Sequence, residues 1–175
     1  MEIINNVLYN IGGHGPTLLA GVSVYLLWGK SNLLFYYTVG LFLNTIISVI
    51  LKCIIQQPRP SIDATHFNLA LKNFKQSIFK NGIPDIFGMP SGHTQSVVFS
   101  TIFIFLSFKK TNILLFYSII SLITMWQRVH YNFHTLNQVI VGLIVGSGFA
   151  YFMFYMAKKN IMGLIRGKSD DNAIL

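Results

Sequence analysis

Long apolar runs separated by short polar breaks dominate the chain, and an uncharged helix needs about 20 residues to cross a bilayer. Ser31 to Leu51 carries no charge over 21 residues and predicts one such span. Before it, residues 3–29 are also uncharged, and their more apolar half, Pro16 to Trp28, predicts a short first span approached through Gly12-Gly13-His14-Gly15. Residues 86–108 hold the third span. Pro90 favours a helix start nearby, and Lys109-Lys110 close that helix at the far interface. Asn112 to Gln127 predicts the fourth span and Leu136 to Ala157 the fifth, which Lys158-Lys159 end. The expected fold is therefore all-α, a polytopic membrane helix bundle of about five spans. One membrane domain would fill residues 1–160, and a basic, then acidic polar tail would occupy 161–175.

The connection from Gln56 to Met89 is far longer than the others. Within it Phe67, Leu71, Phe74 and Ile78 recur at helical spacing, with Lys72, Asn73, Lys75, Gln76 and Lys80 between them. That pattern predicts an amphipathic helix, which either lies in the headgroup region or packs on the bundle as an ordinary loop helix.

Composition supports the membrane reading: 53% of residues are hydrophobic and 10% charged, against about 25% charged in an ordinary soluble domain. The five acids are Glu2, Asp63, Asp85, Asp170 and Asp171. Only Asp63 and Asp85 are placed where they could converge, which argues against two-metal phosphatases and glycosidases. A net charge of +8 would suggest nucleic acid in a soluble chain. Here the cations flank apolar runs, so no nucleic-acid partner is expected. Cys53 is the lone cysteine, which excludes an internal disulfide. The opening MEIINN lacks a cleavable signal's basic start, so the first segment is expected to be retained.

With alternating spans, one face holds Lys30, Lys109, Lys110, Lys158, Lys159, Arg166 and Lys168, while the other holds Lys72, Lys75 and Lys80 apart from three cations treated next. The bias predicts that the first face is cytosolic and the second lumenal or extracellular.

The residues with chemical capacity fall at the ends of the spans on that second face. Lys52 ends the second span, Arg59 follows Pro58, Ser91-Gly92-His93 open the third, Arg128 ends the fourth and His134 precedes the fifth. Three cations, two imidazoles and a helix N-terminus without carboxylates describe a receptor for an anion, most naturally a phosphate. His130 and His134 are spaced to share a helix face, but they lack the HExxH pattern and a third ligand, so no metal is expected. His14 and His66 read as interface residues. Gly142 to Gly146 is a GxxxG that either joins two chains or lets two helices of one bundle approach, so the oligomeric state stays open.

These residues carry a resemblance. KCIIQQPRP, from Lys52 to Pro60, resembles the KxxxxxxRP motif of the type 2 phosphatidic acid phosphatase superfamily. Pro90-Ser91-Gly92-His93 resembles its PSGH, and Arg128 through His134 its Arg-x5-His. FGMPSGHTQ and FHTLNQVIVG are similar to the dolichyl-diphosphatase branch. Gln127 and Gln138 stand where the wider family has Ser and Asp, and the second departure matches that branch. The resemblance implies that His134 is the nucleophile, kept neutral at the N-terminal end of the fifth helix. It implies that His93 is the general acid and then base, and that Lys52, Arg59, Ser91, Gly92 and Arg128 bind phosphate. Gln138 would orient His134 in place of the acid.

The implied protein is a metal-independent phosphatase that hydrolyses a polyprenyl, dolichyl-type diphosphate to the monophosphate through a phosphohistidine, in the endoplasmic reticulum membrane with a lumenal site and no cofactor. Its partners would be the bilayer and a lipid diphosphate or lipid phosphate. Phosphatidate or another lipid monophosphate is the alternative substrate, and a catalytically inactive lipid-phosphate-binding protein is the non-enzymatic alternative.

Overall fold

A computed structural model describes residues 2–76 and 86–164, and six helices make up this part of the chain. They are α1 (Glu2–Leu26), α2 (Ser31–Ile55), α3 (Ala64–Gln76), α4 (Gly92–Phe108), α5 (Thr111–His130) and α6 (Leu136–Leu164). Three helices are by themselves long and apolar enough to cross a membrane: Ser31–Ile55, Thr111–His130 and the Leu136–Asn160 part of α6. The 17 residues of α4 form a shorter apolar helix. At 1.5 Å per residue α4 is about 26 Å long, close to the hydrocarbon thickness of a bilayer.

The bundle is organised around α4, which packs on α1, α2, α5 and α6. Around it α1 touches α5, α5 touches α6 and α6 touches α2, whereas α1 and α2 make no comparable contact. A helix surrounded on most sides needs apolar residues all round it. Accordingly Val97, Phe99, Phe103 and Ile104 of α4 are all fully buried. They join Leu19, Leu27, Leu33, Tyr37, Tyr117 and Ala157 in one core. Polar groups inside that core pair across helices, as apolar surroundings require. Tyr37 and Ser100 hydroxyls meet at 2.8 Å, and those of Ser23 and Tyr117 at 2.9 Å. The Gln95 amide nitrogen donates to the Asn44 backbone and side-chain oxygens at 2.8 and 2.9 Å, tying α4 to α2.

The GxxxG of α6 serves this bundle. A Cβ added at Gly142 would lie 2.7 Å from the Ser91 carbonyl oxygen, and one at Gly146 would strike the Gln95 carbonyl oxygen. The two glycines thus let the α6 backbone lie against α4.

The first helix differs from its expectation. It begins at Glu2 rather than near Pro16, and the glycine-rich approach is itself helical, with Pro16 inside the helix. Close packing explains the glycines. A Cβ at Gly12 would lie 2.5 Å from Gln127 Cβ, and one at Gly15 would strike the Thr124 hydroxyl. The long connection also resolves. Asp63 caps α3, accepting from the Thr65 and His66 backbone N–H groups at 2.8 and 2.9 Å. The apolar face of α3 sets Phe67 and Phe74 edge-on against the fully buried Phe87. It is therefore packed on the protein, through the segment that leads into α4. Ile78, Lys80, Asp85 and the tail from residue 165 lie outside the described residues.

Candidate functional site

The segments flanking α4 are held by a short two-stranded contact. Pro58 and Phe87 form an isolated antiparallel bridge. Beside it Arg59 N–H donates to the Ile86 carbonyl at 3.0 Å and Gly88 N–H to the Gln57 carbonyl at 2.7 Å. This contact brings the end of the KxxxxxxRP stretch against the start of the Pro90-Ser91-Gly92-His93 stretch. At the end of α2, Gln56 adopts a left-handed conformation (φ 50°) and its N–H donates to the Lys52 carbonyl at 3.0 Å. That cap stops the helix one turn beyond Lys52.

Ser91 is the fully buried N-cap of α4, and its backbone N–H donates to the Gln138 carbonyl at 3.0 Å, joining α4 to α6. Thr94 donates to the Ser91 hydroxyl at 3.1 Å. Gly92, the first residue of α4, approaches α2: a Cβ there would lie 3.3 Å from the Ser48 hydroxyl. His93 follows, with its ring toward the Gly13 carbonyl of α1. Pro16 cannot donate to the carbonyl of Gly12, so this turn of α1 lacks one backbone bond next to the carbonyl that the His93 ring faces.

Arg128 is almost fully buried at the end of α5. Its Nε donates to Gln127 Oε1 at 2.6 Å, and its guanidinium lies 4.6 Å from the centroid of the Phe133 ring. Gln127 Nε2 in turn donates to the Tyr9 carbonyl at 3.3 Å. The glutamine at the family's serine position is thus a clamp between Arg128 and α1. The sequence marked Gln127 only as a departure, and nothing local announced this role.

His134 lies in the turn between α5 and α6 and is 3% exposed. Its N–H donates to the Arg128 carbonyl at 3.0 Å, so the turn folds back on α5. The ring meets Gln138, which is wholly buried. Gln138 Nε2 donates to Gln57 Oε1 at 3.1 Å and to the Pro58 carbonyl at 2.8 Å. Its Oε1 therefore faces His134 Nδ1 at 3.1 Å and can only accept. The proton sits on Nδ1, leaving the Nε2 lone pair free. Gln138 also closes a capping box with Thr135. Thr135 N–H donates to Gln138 Oε1 at 3.2 Å, and Gln138 N–H donates to the Thr135 hydroxyl at 3.3 Å. The Thr-x-x-Gln spacing at the head of α6 is a legible signal for this cap.

Electrostatically the cluster is positive throughout. Burial lowers the His134 pKa most, followed by the Arg59 charge, with Lys52 and Arg128 adding to it; the Gln138 hydrogen bond opposes them, and the result is about 4. The neutral imidazole therefore comes from desolvation and neighbouring cations more than from the helix terminus invoked above. His93 lies in the field of the same three cations, Arg128, Arg59 and Lys52. The structure thus brings together Lys52, Arg59, Ser91, Gly92, His93, Arg128, His134 and Gln138 at one end of the bundle. It adds Gln57, Gln127 and the Gly13 carbonyl.

His130 is turned elsewhere, stacked on Trp126 with ring centroids 4.6 Å apart. Among the described residues no group of three His, Cys, Asp or Glu is arranged to hold a metal ion. Asp63 and His66 pair in the open at the start of α3, remote from a catalytic arrangement.

A cavity of about 370 Å³ adjoins the cluster. Lys52, Gly92 and His93 line its inner end, and Thr17, Ser48 and Ser96 continue it between α1, α2 and α4.

Fold and site together define a class: a membrane helical bundle that gathers cations and two imidazoles at one end of its spans. Residues 33–162 match the PAP2 superfamily, and the chain belongs to that family. It is 32% identical over 139 residues to the dolichyldiphosphatase of Saccharomyces cerevisiae, a match that covers 73% of this chain and 51% of the yeast protein. The chain thus spans about half the length of the curated relative it matches. No solved structure matches it.

Proposed function

We propose that the chain is a metal-independent lipid phosphatase that hydrolyses a polyprenyl diphosphate, dolichyl in type, to the monophosphate. His134 Nε2 attacks the terminal phosphorus and forms a phosphohistidine, while the bond from phosphorus to the bridging oxygen breaks. His93 gives its proton to that leaving oxygen. His93 then takes a proton from water, whose oxygen attacks phosphorus; the P–N bond breaks and inorganic phosphate leaves. Lys52, Arg59 and Arg128, with the Ser91 hydroxyl and the N–H groups at the start of α4, neutralise the phosphoryl oxygens where charge spreads.

One observation carries this reading: the buried His134–Gln138 pair, whose hydrogen bonds put the ring proton on Nδ1 in an imidazole that burial and three cations keep neutral. Gln138 takes the place of a carboxylate in fixing the tautomer. The yeast relative's name supports the diphosphate substrate, and the distribution of cations supports a lumenal site in the endoplasmic reticulum membrane.

A phosphate-release panel on purified protein across dolichyl, undecaprenyl and farnesyl diphosphates and phosphatidate tests activity and substrate class together. The expected result is release from polyprenyl diphosphates, with label from a terminally labelled substrate trapped on His134. Release from none of them, or equal release by His134→Ala, overturns the proposal. Faster release from phosphatidate moves the substrate to the lipid monophosphates. Binding of these lipids without turnover leaves the inactive binding protein as the reading.

A further inference from the structure

The cavity beside His93 has a lining whose chemistry bears on the substrate. It borders Lys52, Gly92 and His93, whereas His134 is not part of its wall. In an in-line displacement the leaving group departs opposite the nucleophile. Given the proposed roles of the two imidazoles, the leaving group lies on the His93 side, in this cavity.

Beside Pro16 and Val49, its wall there carries two serine hydroxyls. Ser48 faces it from α2 and Ser96 from α4, one turn beyond His93 and Gly92. Elsewhere in the bundle buried helical hydroxyls find protein partners: Ser23, Ser107 and Thr124 return to the carbonyl four residues earlier, and Thr94, Ser100 and Ser121 meet hydroxyls of other residues. Among the described residues the buried Ser48 hydroxyl takes no protein partner; it stands beside the Gly92 backbone at the phosphate-binding end. The outer end reaches Thr17 and Thr45, both exposed, where α1 and α2 do not close on each other.

A lipid monophosphate would leave as an alkoxide, whose carbon chain begins at the leaving oxygen. That would set methylene groups, which can neither donate nor accept, against the Ser48 and Ser96 hydroxyls and beside the Lys52 ammonium. A lipid diphosphate leaves as a phosphate, which those groups can bind. We propose that Ser48 and Ser96, with Lys52, form a second phosphate subsite. It holds the phosphate that stays on the lipid and so selects diphosphates over monophosphates. The assignment rests on the catalytic reading above and adds the residues that set its substrate class.

The test separates the two. Binding of methylenediphosphonate and of orthophosphate is measured by calorimetry on detergent-solubilised wild type, Ser48→Ala, Ser96→Ala and the double variant. Turnover of a polyprenyl diphosphate and of the monophosphate of equal chain length is followed in parallel. Wild type is expected to prefer the diphosphonate. The double variant is expected to lose that preference by about 10- to 100-fold, as removal of two hydrogen bonds to a charged group implies, while retained orthophosphate binding reports an intact fold. The ratio of diphosphate to monophosphate kcat/KM falls with it. A preference unchanged within about threefold in the double variant, or no preference in wild type, overturns the subsite. Absence of turnover on both lipids with the binding preference intact overturns the catalytic reading and leaves the subsite standing.

Discussion

The two sides of α4 are opposites. Toward α6 the contact is closed to the backbone: Gly142 and Gly146 lie against the carbonyls of Ser91 and Gln95, and Ser91 N–H bonds the Gln138 carbonyl. Toward α1 and α2 the same helix leaves a cavity whose wall mixes serine and threonine hydroxyls with Pro16 and Val49. The candidate nucleophile His134 and its partner Gln138 belong to the closed side, and His93 to the open one. A nucleophile needs its ring held to within a fraction of an ångström, which close packing supplies. A leaving group attached to a lipid needs space and a path out, which close packing would deny.

The strongest break of this comparison is on the closed side. His134→Ala is expected to lower turnover by about 10⁴-fold or more and to abolish the trapped phosphoenzyme, whereas substitutions on the cavity side alter substrate preference. Next comes the packing itself. Gly146→Leu drives a side chain into the α4 backbone and is expected to cost about 1–3 kcal/mol or more, read as a lowered Tm in detergent with activity lost in parallel.

Gln138→Glu keeps the acceptor for His134 but faces the Pro58 carbonyl with a carboxylate in place of an N–H. A loss of about 10- to 100-fold in kcat is expected, with the fold retained. Turnover equal to wild type would show that the amide donors are dispensable.

The pH response follows from the lowered His134 pKa. The native ring takes up its proton only as pH falls through about 4, so nitrogen NMR of labelled protein should show a neutral imidazole, protonated on Nδ1, above that pH. The unfolded chain takes up the same proton near 6.5, so this residue's contribution makes stability fall as pH drops from 6.5 toward 4. In Gln138→Glu the added charge is expected to move the transition upward. The smallest effect is predicted for Gly148→Ala on the same helix as Gly146. A Cβ there meets nothing within 4 Å, so Tm should stay level or rise slightly.

Much of the site was legible because its residues sit at helix ends. Breaks in hydropathy place Lys52, Ser91, Arg128 and His134 at the mouths of spans, and alternation alone then puts them on one face. The partners were less legible. Gln57 reaches Gln138 across 81 positions of sequence, and Gln127 reaches the Tyr9 carbonyl across 118. Neither pairing has a local signature, since an amide serves many structures. The start of the first helix has no local signature, because glycine and proline lower helix propensity. Packing against Gln127 and Thr124 overrode that local cost, and the side-chain clashes that a Cβ would create explain why glycine stands there.

Hydropathy and spacing by themselves determined a membrane bundle and the span ends at which its candidate site residues lie, a set that holds cations and imidazoles but no carboxylate. These follow from nearest neighbours along the chain and from the lipid's demand for satisfied backbone. Only the tertiary structure decided that the GxxxG packs within the bundle, that α3 lies on Phe87, and that Gln138 fixes the His134 tautomer through Pro58. It alone showed the cavity on one side of α4. Each of these depends on which helices touch and how closely, and that is set by side-chain volume and hydrogen-bond partners between residues distant in the chain.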